Sequence, residues 1–167
     1  MPLIHERISP ALYFALSQFL YDEAALLDAR DWDGWGRLFL PEGTYWVPAA
    51  RDQADSLNHV SLVNDNALLR EIRLARLRSG DAASLQGKPN SSHLVSNILV
   101  TTADESAGRY TLDSRFVVAQ FASWGTRTFH GRYTHDLARE AGSLRIALKR
   151  VDLVDVDGPL GDILTSL

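Results

Sequence analysis

The chain has 167 residues, of which 46% are hydrophobic and 23% are charged, so it is long enough and apolar enough to fold around a core. A formal net charge of −4 provides no concentrated positive field for nucleic acid or for an anionic membrane surface, and neither partner is expected. The sequence contains no cysteine, which excludes disulfides, thiolate nucleophiles and iron–sulfur ligation by this chain.

Residues 1–7 show no basic segment followed by an apolar one, and no later stretch reaches the ~20 apolar residues that span a bilayer, so we expect a cytoplasmic protein.

The N-terminal part of the chain predicts two helices. Residues 9–29 predict an amphipathic helix that begins at the Ser9 cap. Its apolar face is formed by Tyr13, Leu16, Leu20, Ala24 and Leu27. A second, short helix is predicted over residues 32–39, with Asp31 as its cap.

The middle of the chain predicts a strand, a loop and a third helix. Residues 44–47 are β-branched or aromatic and predict a strand after Gly43. The polar residues 49–64 predict a long loop that enters a brief strand over 59–63. The third helix is predicted to begin at an Asp65 or Asn66 cap and to continue to Arg78. The residues expected to be turned inward are Leu69, Ile72 and Ala75, and Gly80 is the expected terminator.

Beyond Pro89 the pattern changes to long strands. They are predicted over residues 91–102, 109–124, 127–139 and 144–154, with glycine-containing turns between them. Alternation predicts one buried face of the second of these strands: Tyr110, Leu112, Phe116, Val118, Ala122 and Trp124. Helices followed by antiparallel strands predict an α+β fold with the helices on the concave side of a curved sheet, and one domain over residues 1–167.

Four segments of the sequence carry a family resemblance. They are residues 19–28 with 31–35, the Tyr-Trp-Val-Pro of 45–48, the arginine-rich 69–77, and Pro-Asn-Ser-Ser-His-Leu-Val-Ser-Asn-Ile at 89–98. In this order they resemble the beta (small) subunits of aromatic-ring-hydroxylating dioxygenases, in the form used by benzoate-type enzymes. Together these segments are spread over most of the chain.

The resemblance implies a cone-shaped, nuclear-transport-factor-like (cystatin-like) fold and a structural role without a cofactor on this chain. It implies that an alpha subunit carries a Rieske iron–sulfur cluster and a mononuclear iron, and that three alpha and three beta chains assemble. It also implies that a ferredoxin or reductase supplies NAD(P)H-derived electrons to the alpha chain for dihydroxylation of an aromatic ring.

Two motifs have the spacing of metal-binding residues, but the surrounding sequence does not support a metal site at either one. His130 and His135 have the spacing of an iron-binding pair, but residues five apart on a strand face opposite sides of the sheet, so two strand histidines at polar positions are the better interpretation. Asp155 and Asp157 before Gly158 lack the later acidic ligands of a calcium loop and predict a turn.

An acid–base pocket is the alternative function for a cone of this kind. Asp31, Tyr45 and His93 are the candidates, and they would make the chain a stand-alone lyase or isomerase of the scytalone dehydratase or ketosteroid isomerase type. A buried, hydrogen-bonded histidine or tyrosine is the competing interpretation of these residues. A third hypothesis is a module that holds a small apolar ligand in the cone.

Arginines and tryptophans supply the candidate partner interface. Arg70, Arg73 and Arg76 stand three apart on the third helix and predict a basic stripe for acidic groups, either on a partner or at Asp113 of the same chain. Trp32, Trp35 and Trp46 cluster in the sequence, and aromatic clusters serve both cores and interfaces. The residues assigned to the interface are Trp35, Trp46, Arg70, Arg73 and Arg76.

Overall fold

The structure is a computed structural model that describes residues 8–79, 90–123, 125–158, 163, 166 and 167. Gly80, Pro89 and Trp124, to which the sequence patterns assign roles, lie outside the described residues. The described chain forms three helices and six strands. In chain order these are α1 Pro10–Asp28, α2 Trp32–Arg37, β1 Phe39–Pro48, β2 Ser61–Asp65, α3 Ala67–Ser79, β3 Asn90–Asp104, β4 Arg109–Ala122, β5 Gly125–Glu140 and β6 Ser143–Leu153.

The six strands form one sheet in the order β2-β1-β6-β5-β4-β3. Every neighbouring pair is antiparallel except β1 and β6, which are parallel. Helix α1 packs against β3, whereas α3 packs against β1 and β2 and contacts α2. The predicted α+β architecture of helices on a mainly antiparallel sheet is therefore confirmed.

The core lies between α1 and the inner face of the sheet. Leu16, Leu20 and Leu27 of α1 are buried as the helical period predicts, and the Ser9 hydroxyl accepts a hydrogen bond from the Leu12 amide as the N-cap. Tyr13 lies at the edge of this face, because its side chain is 43% exposed while its hydroxyl donates to the Ile98 carbonyl of β3 at 3.1 Å. The alternation of β4 is confirmed for its described members, Tyr110, Leu112, Phe116, Val118 and Ala122, which are all buried.

The boundary between α2 and β1 differs from the prediction. The helix ends at Arg37, and the strand begins at Phe39 rather than after Gly43. Phe39 pairs with Ile146 of β6, and a register shift before Thr44 accommodates the proline and glycine between them. Gly43 is required in this bulge, because a Cβ atom there would lie 2.5 Å from the Ile146 carbonyl oxygen. The later strand β2 likewise begins at Ser61, two residues after the predicted start.

Helix α3 buries a different face from the predicted one. Its buried residues are Arg70 and Leu74, whereas Leu69, Ile72 and Ala75 are exposed. The reason is a polar anchor: Arg70 Nη1 donates to the Gly43 carbonyl at 2.7 Å. The cap is Asn66, whose side chain accepts a hydrogen bond from the Leu69 amide at 3.0 Å.

Substitution of Leu74 by alanine tests this corrected face. We expect Leu74→Ala to lower the free energy of unfolding by about 2–5 kcal/mol, because it leaves a cavity under α3. Ile72→Ala on the same helix should cost less than about 1 kcal/mol, since that side chain is 43% exposed. Denaturant unfolding of the isolated chain measures both values, and a larger loss for Ile72 would contradict the assignment.

Candidate functional site

A buried ionic cluster occupies the space between α1 and the sheet. Glu23 lies on the inner face of α1, and His135 on β5 and Lys149 on β6 are cross-strand partners. Both side chains point at the helix: Lys149 Nζ is 2.9 Å from Glu23 Oε1, and His135 Nε2 is 2.9 Å from Glu23 Oε2. All three residues are almost completely buried. The strand register therefore brings a cation and an imidazole to one carboxylate.

Aromatic residues enclose this cluster. Trp35 Nε1 donates a second hydrogen bond to Glu23 Oε1 at 2.9 Å. Lys149 Nζ lies 4.6 Å from the centroid of the Tyr133 ring, a cation–π distance. Tyr133 stacks on Phe116 with ring centroids 4.0 Å apart. The Glu23 carboxylate thus has partners from α2, β5 and β6, and its charged neighbour Lys149 lies against aromatic rings.

The cluster stabilises the charged form of Glu23. Burial by itself raises the pKa of this carboxyl, but Lys149 and His135 outweigh it and hold the pKa far below its ordinary value. Burial lowers the pKa of Lys149, and the Glu23 carboxylate opposes that shift. A carboxylate held so strongly as an anion by neighbouring donors is a poor general base, because it has little tendency to take up a proton.

His93 is paired with Asp28, and not with the predicted Asp31. His93 Nδ1 lies 2.5 Å from Asp28 Oδ1, and the His93 amide donates to Asp28 Oδ2 at 2.9 Å. The Ser91 hydroxyl donates to the same carboxylate at 3.1 Å. Burial lowers the pKa of His93, although the hydrogen bond to Asp28 opposes it. Asp31 is exposed and caps α2 by accepting from the Gly34 amide at 2.8 Å, so its predicted place in the pocket is wrong.

Tyr45 lies in the core but has a structural partner. Its hydroxyl accepts a hydrogen bond from the Leu167 amide at 3.1 Å, and its ring meets the edge of Trp35 with centroids 5.5 Å apart. Burial raises the pKa of Tyr45 to about 12. In the described chain, no hydrogen bond joins Tyr45 to His93 or to Asp31. The three residues predicted from sequence are therefore not brought together as one acid–base unit.

The space left inside the cone is small. A narrow gap lies beside the cluster, and the side chains that line it include Leu20, Leu27, Val95, His93, Tyr133 and His135. As the described residues line it, this cavity is too narrow to admit a water molecule. Within the described residues, His93 Nε2, His135 Nδ1 and the Tyr133 hydroxyl are buried without a hydrogen-bond partner. The gap that these residues line therefore has polar atoms but no room for a substrate.

The two histidines of the metal-like motif lie on opposite faces of β5, as predicted. His130 is exposed and His135 is fully buried. The expectation of a polar position was wrong for His135, because its partner Glu23 comes from a distant helix. Within the described ranges, no group of three or more histidine, aspartate or glutamate side chains is arranged to hold a metal ion. The predicted turn is confirmed, since the Gly158 amide donates to the Asp155 carbonyl at 2.8 Å.

Sequence reasoning missed Glu23, Asp28 and Lys149. For Glu23 and Lys149, the sequence contains a pattern that could have revealed them. Glu23 lies between Leu20 and Leu27 on the apolar face of α1, and Lys149 alternates with buried Val151 on β6. A charge at an inward position indicates a buried partner, because an unpaired buried charge is strongly unfavourable.

Most of the predicted interface residues are engaged within the chain. Trp35 is 0% exposed and Trp46 is 5% exposed. Arg70 is buried against Phe39, and Arg73 forms an ion pair with Asp65 at 2.5 Å. The internal partner of the arginine stripe is therefore Asp65 and not Asp113, which accepts from Thr134. Arg76 is exposed. The stripe is broken because each three-residue step rotates around the helix by about 60°.

Both the sequence and the fold of this chain are similar to those of known proteins. The family model described as "Ring hydroxylating beta subunit" matches residues 22–156. The chain is 30% identical over 146 residues to the anthranilate 1,2-dioxygenase small subunit of Acinetobacter baylyi, covering 83% of this chain and 87% of that one. It is 32% identical over 96 residues to the benzoate 1,2-dioxygenase subunit beta of the same organism, covering 53% and 56%.

Solved structures share the fold. The beta subunit of the benzoate 1,2-dioxygenase of Burkholderia mallei superposes with a TM-score of 0.74 at 22% identity, covering 96% of this chain and 99% of that chain. A chain of naphthalene 1,2-dioxygenase gives 0.81 at 17% identity, with 97% and 89% coverage. A putative scytalone dehydratase of Novosphingobium aromaticivorans gives 0.65 at 13% identity, with 86% and 85% coverage. The predicted nuclear-transport-factor-like fold is confirmed. In the described part of the chain, no helix is both long and apolar enough to cross a membrane.

Neutralising Glu23 tests the cluster. At pH 7 we expect Glu23→Gln to lower the free energy of unfolding by about 3–5 kcal/mol, because Lys149 is left buried without its counter-charge. The contribution of Glu23 is complete above its unfolded pKa of 4.5, because its folded pKa is lower. It is lost progressively as the pH falls below that value, so the difference between wild type and variant should shrink in acid.

Denaturant unfolding at several pH values measures this difference. The matched control is Asp22→Asn on the same helix, an exposed residue whose neutralisation should change stability by no more than about 0.5 kcal/mol. A wild-type advantage that stays constant from pH 7 to strongly acidic conditions would show that the charge of Glu23 is not responsible.

Proposed function

Because the chain belongs to the ring-hydroxylating dioxygenase beta subunit family, whose model matches residues 22–156, we propose that it is the non-catalytic small subunit of an aromatic-ring-hydroxylating dioxygenase. In this role it stabilises the oligomer of catalytic subunits and performs no chemistry itself. Dihydroxylation of the aromatic substrate takes place on the larger partner.

The observation that carries the proposal is the closed polar interior. Both oxygens of Glu23 are bonded, Oε1 to Trp35 and Lys149 and Oε2 to His135. The Asp28 carboxylate is likewise bonded to Ser91 and to His93. No cavity large enough for an aromatic ring separates these groups among the described residues. Carboxylates that are bonded in this way to donors of the same chain support folding rather than turnover.

The outer surface supports a role in assembly. Several large apolar side chains of the described chain are at least 42% exposed. They are Tyr13, Phe14, Tyr21, Leu57, Val60, Leu62, Leu68, Leu69, Ile72, Leu94, Val117, Phe121 and Val154. Surfaces of this kind are typical of subunits that bury them in a permanent complex. Arg76 and Arg73, whose side chain is 33% exposed, remain proposed contacts, whereas Trp35, Trp46 and Arg70 have little surface left for a partner.

The proposed assembly contains three small and three catalytic chains in the cytoplasm. The catalytic chain carries the Rieske cluster and the mononuclear iron, and a ferredoxin or reductase supplies it with electrons from NAD(P)H. The names of the relatives, which are small subunits of dioxygenases, support this assignment. The lack of cysteine also supports it, since this chain offers no thiolate for an iron–sulfur cluster.

The alternative of a stand-alone lyase or isomerase is not favoured. It is motivated by the fold shared with a putative scytalone dehydratase, but a shared fold does not carry an activity. The predicted carboxylate Asp31 is exposed at a helix cap, and the cavity beside His93 admits no ligand. The same closed cavity disfavours a module that binds a small apolar ligand.

Purification from the native host tests the proposed function directly. A tagged copy of the chain, isolated after growth on an aromatic acid such as benzoate, should bring down a larger chain in equal amount. The complex should show the visible absorption of an iron–sulfur cluster. A colourless sample that contains only this chain would contradict the proposal.

The assembled enzyme also distinguishes a structural His93 from a catalytic one. His93→Ala in the complex should leave turnover per assembled catalytic subunit within about twofold of wild type, because in the proposed role the chemistry takes place on the catalytic chain. The same variant should lower stability by about 1–3 kcal/mol, since Asp28 loses a buried partner. His130→Ala, on the exposed face of the same sheet, should change neither quantity. Loss of turnover by orders of magnitude in His93→Ala alone would favour the lyase or isomerase hypothesis.

A further inference from the structure

A concave site lies on the outer face of the sheet, on the side away from the helices. It has a volume of about 430 Å³, and its floor is formed by β4, β5, β6 and the segment after β1. Its charged lining residues are Arg51, Asp52, Arg115, Arg132 and Asp152. This site is separate from the buried Glu23 cluster, and no step of the proposed function uses it.

Two arginines in this site face each other across neighbouring strands. Arg115 of β4 and Arg132 of β5 are directly opposite in the ladder, an arrangement in which like charges destabilise a sheet. Arg132 reaches Asp152 of β6 at only 3.4 Å. Arg115 is exposed and has no hydrogen bond or ion pair with any described residue. The pair therefore carries positive charge that the described part of the chain neutralises only in part.

The carboxylates of the site do not balance its arginines, because most of them already form an ion pair with another arginine. Asp152 forms a bidentate pair with Arg150, with nitrogen–oxygen distances of 2.8 Å. Arg51 is paired with Asp157 at 2.6 Å and donates to the Val154 carbonyl at 3.0 Å. Arg150 and Asp157 also belong to the site through their ion pairs with its lining residues. With these two included, the site has four arginines and three carboxylates. A further carboxylate would remove the surplus.

The floor of the site is held in place from below. The Arg150 guanidinium lies 4.4 Å from the centroid of the Trp46 ring, and Trp46 Nε1 donates to the Ser61 hydroxyl at 2.9 Å. Gly131 allows β6 to approach closely, because a Cβ atom there would lie 2.0 Å from the Asp152 carbonyl oxygen. A floor held by these contacts limits the backbone movement beneath Arg115 and Arg132, which reduces the entropy lost on binding.

An apolar strip continues from the arginine pair along the same face. Val117 follows Arg115 by two residues and is 42% exposed, and Leu94 of β3, directly opposite it, is 59% exposed. Apolar side chains beside arginine are typical of protein interfaces. A small ligand would need a more enclosed pocket, since such ligands are usually buried over most of their surface.

We propose that this face docks the catalytic subunit, and that Arg115 and Arg132 together bind a surface carboxylate of that subunit while Leu94 and Val117 pack beside it. The inference rests on the proposed function, because it requires a larger partner chain. It adds a basic docking surface on the outer face of β4 and β5 to the contacts proposed at Arg73 and Arg76 of α3.

Charge reversal at Arg115 tests the proposal with a matched control. Arg115→Glu places a carboxylate opposite Arg132, so the isolated chain should be as stable as wild type or more stable. The same variant should weaken association with co-expressed catalytic chain about tenfold at low salt and should reduce the salt dependence of assembly. Arg109→Glu makes the same charge change on the same face of β4, six residues away, and should leave assembly within about twofold of wild type. Its isolated chain should be slightly less stable than wild type, because the new carboxylate lies opposite Asp104.

Each other outcome is decisive. Equal assembly of the Arg115→Glu and Arg109→Glu variants would overturn the docking surface while leaving the proposed function intact. Loss of self-association of the isolated chain, with normal hetero-assembly, would assign the face to a second copy instead. Titration of the isolated chain with benzoate, with binding lost in Arg115→Glu but assembly unchanged, would assign it to a small anion. Absence of any larger partner for the wild-type chain would overturn both inferences.

Discussion

The burial of one carboxylate, Glu23, is the constraint on which the interior of this protein depends. A buried anion is tolerated only when donors surround it, and here the donors come from three different elements. Trp35 of α2, His135 of β5 and Lys149 of β6 all bond to it. The Glu23 carboxylate therefore fixes three features of the fold: the position of α1 over the sheet, the placement of α2 and the register of β5 on β6. An error in any of them would leave a charge unpaired.

The same constraint explains why the cone is closed. Neither Glu23 nor Asp28 is a free base, because both carboxylates are bonded to donors of the same chain. Two of the segments that carry the family resemblance meet at Asp28, which ends α1 and accepts from both Ser91 and His93 of β3. These motifs are then explained by packing of α1 against the first long strand. A motif that resembles a catalytic pair can be retained for structure alone.

In the proposed function, the partner binds on the outside of the sheet. Trp46 links the two regions, because its ring is buried while Arg150 covers its outer face. From there, ion pairs lead through Asp152 to Arg132 and its opposite neighbour Arg115. The beta subunit family assigns this chain a partner, and the outer face has both the charge and the apolar area that a partner requires.

The sequence by itself determined the class of fold, the family and most element positions. Helix α1 and strand β4 were predictable because their buried residues recur at the regular spacing of a helix or a strand. Leu16 and Leu20 show this for α1, and Leu112 and Phe116 show it for β4. Only the tertiary structure decided which polar groups meet. Asp28 rather than Asp31 binds His93, and α3 turns Arg70 inward because the Gly43 carbonyl lies beneath it. These pairings join residues far apart in the chain, and local periodicity contains no information about the partner that will lie across the core.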